Sequence, residues 1–126
     1  MPNLTDLHTH TLDAESTAWL VHVLEVIETL DADAYAALMT EDVRLRLPTG
    51  TVLEGRAAVA GALRGAWTSV RALEHHELGI SGDAHVLVHE SRVVTTTTQG
   101  QTTTAMSTAW IERDDQGRIT TARVYG

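Results

Sequence analysis

The chain is 126 residues long, carries a formal net charge of -8 and contains no cysteine. That length fits one domain of ordinary size, in which about two-thirds of the unfolded chain's surface can be buried without a covalent or metal staple. Disulfides and thiolate metal sites are excluded, and an acidic chain without a basic stripe is a poor partner for nucleic acid.

Residues 1–12 are polar and aperiodic and read as a mobile tail; residues 13–126 read as a single domain. The tail lacks the basic and apolar regions of a signal peptide. No apolar run reaches the ~20 residues of a membrane span. The expectation is a cytoplasmic protein without a membrane partner. Asp13 can cap a helix over residues 14–30, with Leu20, Leu24 and Ile27 on one stripe widened by Trp19, Val23 and Val26. Asp31 or Asp33 can cap a short second helix carrying Tyr35, Leu38 and Met39. Val43, Leu45 and Leu47 alternate with Arg44 and Arg46, which predicts a half-buried strand over 43–47 stopped at Pro48 and turned at Thr49-Gly50. Residues 51–53 predict a short return strand and 56–69 a third helix. Gly61 and Gly65 weaken that helix by about 1 kcal/mol each, which suggests close packing there.

Beyond residue 70 the apolar period changes from 3.6 to 2. Residues 71–80, 85–98, 101–113 and 118–125 predict four strands, joined by Ser81-Gly82-Asp83, Gln99-Gly100 and a turn over 114–117. Helices followed by an antiparallel meander make an α+β domain.

Four segments in this order and spacing carry a resemblance: Leu30-Asp31-Ala32-Asp33, Leu38-Met39-Thr40-Glu41-Asp42-Val43, Leu53-Glu54-Gly55-Arg56-Ala57-Ala58-Val59, and Gly117-Arg118-Ile119 before Arg123-Val124-Tyr125. Over about residues 15–126 the chain resembles the nuclear-transport-factor-2-like superfamily, in its SnoaL-like and ketosteroid-isomerase-like branches. The resemblance implies a cone-shaped, curved antiparallel sheet wrapped around about three N-terminal helices, with an internal pocket. It also implies a homodimer paired through the convex sheet face.

The acids and bases of the known branches do not carry over. The general-base Asp of ketosteroid isomerases falls on Leu47, their oxyanion-hole Tyr near Val23 and their protonated Asp near Ala109. Three apolar side chains move no proton, so steroid isomerisation by that route is excluded. The last Asp of epoxide-hydrolase-like members falls at about Val124. The terminal residues 120–126 hold neither the His nor the Asp of SnoaL-type cyclases.

Histidines are the remaining candidates. With the register the family implies, odd-numbered residues of the 85–98 strand face the pocket, which places His89 on its wall beside Leu87 and Ser91. His75 and His76 are adjacent and point to opposite faces; parity with Leu78 and Ile80 favours His76. A His89–His76 pair is thus the catalytic expectation. Trp19, Val23, Leu47, Trp67, Met106, Ala109 and Trp110 are the expected substrate-binding residues. In Asp6-Leu7-His8-Thr9-His10-Thr11 the alternating histidines are similar to the opening metal motif of polymerase-and-histidinol-phosphatase-type phosphoesterases. Those enzymes need many more ligands on a larger barrel, so no metal is expected, and without a phosphate-cradling Gly loop or a complete metal set no cofactor is expected either. Two functions stay open: an acid–base cyclase, isomerase or dehydratase acting on a small apolar oxygenated metabolite, or a non-catalytic binding or dimerisation domain of the same fold.

Overall fold

The computed structural model describes residues 2–10 and 12–126; Met1 and Thr11, both in the expected tail, lie outside the described residues. Much of that tail lies along the sheet. Strand β1 (His8–His10) pairs in parallel with β4 (Val70–Gly82), and the Asn3 N–H donates to the His75 carbonyl at 2.9 Å. Backbone groups make this edge pairing, so it leaves no alternation in the sequence.

Helix α1 (Ala14–Glu28) starts where Asp13 Oδ1 accepts the Ser16 N–H at 2.7 Å. It stops short of Leu30 because Leu30 takes the left-handed conformation, φ 60°, that closes a helix. Leu20 and Leu24 are fully buried, and each such side chain contributes about 1.5–3 kcal/mol. Asp31, not Asp33, caps α2 (Ala32–Ala36) by accepting the Ala34 N–H at 3.0 Å. Met39, expected on that helix, opens strand β2 (Met39–Arg46) instead.

The remaining elements are β3 (Val52–Glu54), α3 (Arg56–Trp67), β5 (Val86–Thr97), β6 (Thr102–Arg113) and β7 (Ile119–Tyr125). One curled, unclosed sheet runs in the order β1-β4-β5-β6-β7-β2-β3. The antiparallel meander β4 to β7 is extended by a parallel pairing at each end, β1 on β4 and β2 on β7. The three helices and the sheet share a core that includes Leu20, Val43, Val59, Leu87 and Ile119. The β4–β5 hairpin needs glycine at position 82, where φ is 124° and a Cβ would lie 2.1 Å from the Val86 carbonyl oxygen. Among the described residues no helix is long and apolar enough to cross a membrane.

Two local features depart from the sequence reading. Nothing lies within 4 Å of a Cβ built on Gly61 or Gly65, so close packing does not explain them. Gly61→Ala should therefore raise stability by about 1 kcal/mol, measured as a shift in the urea midpoint at unchanged slope.

The second feature is a bulge in β4. His76 pairs with Arg92 and Gly79 with Glu90, so β4 advances three residues while β5 advances two. Glu77, at φ 56°, accommodates the extra residue. The faces of β4 exchange there: His75 is buried before the bulge, Leu78 and Ile80 after it. A parity argument carried back from Leu78 through the bulge reaches the wrong histidine.

Candidate active site

Inside the curl lies a cavity of about 200 Å³. Its buried walls include Tyr35, Leu45, His75, His89, Ala109 and Ile111. Leu47, Leu63, Trp67, Leu73, Val93 and Val124 are half-buried and stand nearer solvent. Larger concavities of about 410 and 480 Å³ are surface grooves rich in exposed polar residues such as Asp31, Asp33, Asp115 and Gln116. The inner cavity combines apolar walls with buried titratable side chains, the pattern of a small-molecule site.

Three elements bring its polar groups together. The C-terminal end of α1 supplies Glu28, whose side chain is 3% exposed. The bulged strand β4 supplies His75, and β5 supplies His89. Glu28 Oε2 accepts the His75 backbone N–H at 2.7 Å and lies 2.9 Å from His75 Nδ1. A carboxylate only accepts, so Nδ1 carries the ring proton and Nε2 carries the lone pair. The His75 and His89 rings are 6.4 Å apart at 82°.

Burial holds both imidazoles towards neutrality. Desolvation lowers the His75 pKa, partly opposed by the hydrogen bond and charge of Glu28. Desolvation, with a smaller contribution from His75, brings His89 down to about 4. Burial raises the Tyr35 phenol to about 12, so it remains a hydrogen-bond donor. Its ring lies 6.3 Å from that of Trp67.

Of the residues expected to form the site, His89, Leu47, Trp67 and Ala109 line the cavity. The other five do not. His76 is on the outer face of β4, its Nδ1 3.1 Å from Asn3 Nδ2, because the Glu77 bulge turns His75 inward instead. Trp19 sits nearer the start of α1, donating Nε1–H to the Gly117 carbonyl at 2.9 Å beneath the Arg113 guanidinium. Val23 is fully buried in the core. Ala109 and Trp110 are neighbours on one strand and cannot both point inward. Trp110 is outside, its Nε1–H donating to Glu112 at 3.1 Å, and Met106 has the same parity and is 58% exposed. Among the described residues no three His, Asp or Glu side chains are placed to hold one metal ion; His8 and His10 lie exposed on β1.

Glu28 is the residue that sequence reasoning missed. The signal was present: 20, 24 and 28 follow one i, i+4 row, so a carboxylate continues the row of Leu20 and Leu24.

The sequence model of the SnoaL-like domain matches residues 20–122. No curated protein matches the chain. Among solved structures, a proposed polyketide cyclase from Xanthomonas campestris pv. campestris is 25% identical, with a TM-score of 0.77 over 87% of this chain and 88% of that one. A proposed polyketide cyclase from Pseudomonas putida KT2440 is 18% identical, with a TM-score of 0.75 over 86% and 88%. SalBIII, an epoxide hydrolase/cyclase-like enzyme in pyran ring formation in the polyether salinomycin, is 20% identical, with a TM-score of 0.71 over 86% and 88%. With the family match spanning most of the domain and the curled sheet shared with these structures, the chain belongs to the SnoaL-like domain family.

Proposed function

We propose that this protein is an acid–base enzyme of the cyclase or isomerase type, in which His75 held by Glu28 moves a proton on a small oxygenated molecule in the apolar cavity. The observation that carries this reading is the double engagement of Glu28 Oε2 by the His75 N–H and Nδ1. It fixes the ring, selects the tautomer and leaves Nε2 as the base, on a residue that lines the cavity. In the simplest step Nε2 takes a proton from a carbon beside a carbonyl, and the electron pair moves to the carbonyl oxygen as an enolate. The same proton returns at another carbon, or the enolate carbon closes a ring on a second carbonyl carbon of the same molecule, whose C=O π pair moves to its oxygen and takes the proton back from His75 Nε2. Glu28 stabilises the imidazolium formed in the first half of the step. His89, held neutral, adds no opposing charge while His75 is protonated.

The named relatives support this class of chemistry, one being a cyclase-like enzyme of pyran ring formation and two being proposed polyketide cyclases. The pair that supports the reading is His75–His89 with Glu28 behind it, in place of the expected His76–His89. A second reading, binding without turnover, is favoured by Leu47 and Ala109, apolar residues that line the cavity at positions matched to the acids of ketosteroid isomerases.

Proton exchange separates the two. With small cyclic ketones in D2O, proton NMR should show wash-out of the hydrogens beside the carbonyl by wild type and none above background by His75→Gln. Saturable binding with no exchange by wild type would leave only the binding reading.

A further inference from the structure

Resting on the reading of the inner cavity as the substrate site, we propose that its ligand is an uncharged single-ring molecule of about eight non-hydrogen atoms, bearing one or two oxygen functions. Volume sets the size. An apolar cavity of about 150 Å³ holds one benzene, whereas pockets for drug-sized ligands run to about 300–1,000 Å³. At about 200 Å³ this cavity takes one six-membered ring with a short substituent, and two fused rings overfill it. The limit is built into side chains nearer solvent: Trp67, stacked at a tilt on Tyr35, and Leu63, both from α3.

Charge is settled by the same walls. No Arg lines the cavity, and the Glu28 carboxylate lies behind His75. An anionic ligand would lose its hydration, meet no fixed cation and face that carboxylate. A cation would find no carboxylate among the lining residues. The count of oxygen functions follows from the few polar side chains in the wall, which are His75, His89, Tyr35 and Ser107.

The test titrates the intact protein with cyclohex-2-enone, phenol, 2-tetralone, a four-ring steroid ketone, and the matched pair benzamide and benzoate. Binding is read from the imidazole resonances of His75 and His89. The single-ring neutral probes should bind at least about tenfold more tightly than 2-tetralone, the steroid should not bind, and benzamide should outbind benzoate. Trp67→Ala should reverse the order of cyclohexenone and 2-tetralone. Leu63→Ala, at a half-buried position, serves the same purpose if the Trp67 variant does not fold. Tighter binding of the two-ring ketone or of benzoate to wild type would overturn the size or charge argument and leave the active-site reading intact. Unchanged preference in a folded enlarged variant would overturn the assignment of α3 as the size limit. Silence of both imidazoles to every probe would overturn this proposal and the site together.

Discussion

Between pH 8 and pH 5 the native protein should lose about 2 kcal/mol of stability through His89 alone, because its pKa falls from the ordinary 6.5 to about 4 on burial. The unfolded state takes up a proton as pH falls through 6.5, and the native state refuses it until about pH 4. Stability therefore drops across that window and levels off below it. His75 is lowered too and acts in the same direction. Asp13 and Asp83, whose carboxyls are held below 3.8 by backbone hydrogen bonds, titrate below the window and do not contribute. The measurement is urea unfolding at pH 8, 6 and 5 on wild type and His89→Leu. The variant should show a slope smaller by about 2 kcal/mol over the interval; an equal slope would mean that position 89 is not desolvated in solution.

His75→Gln should reduce ketone proton exchange by about 10²- to 10⁴-fold, the usual contribution of a positioned base. The carboxamide can still donate to Glu28, so the variant avoids stranding a buried carboxylate, a loss that costs about 3–5 kcal/mol when one partner of a buried pair is deleted. Glu28→Gln tests the pair from the other side. It keeps an acceptor near the His75 N–H but removes the charge that favours imidazolium. The rate should fall and the acid limb of the pH–rate profile should move to lower pH, since the His75 pKa loses its upward contribution from Glu28. A merely structural Glu28 would change the amount of folded protein and leave that limb in place.

The alternation of residues 85–98 carried real information about the site. A strand with Leu87, His89 and Ser91 on one parity has those three side chains buried together once it joins the curl. Adjacent β4 defeated the same reasoning: Gly79, where regular pairing resumes, hints at an irregularity, but nothing local marks Glu77 as the residue of the bulge. Its position is set by how β4 fits β5 on one side and the α1 end on the other. Glu28 lay in plain view on the row of Leu20 and Leu24, yet a carboxylate closing a helix also reads as a solvated end. Only the packing of that end against His75 distinguishes the two.

By itself the sequence determined the helices, the meander and their order, since periodicity, caps and turn residues are local signals acting within a few residues. It also determined that His89 shares a face with Leu87 and Ser91. The tertiary structure alone decided which β4 histidine turns inward, that Glu28 holds it, and that Trp19, Met106 and Trp110 stand away from the cavity. Those outcomes depend on strand register, on a one-residue bulge and on which end of α1 reaches the cavity. All three are fixed by contacts between residues far apart in the chain, where local preference is silent.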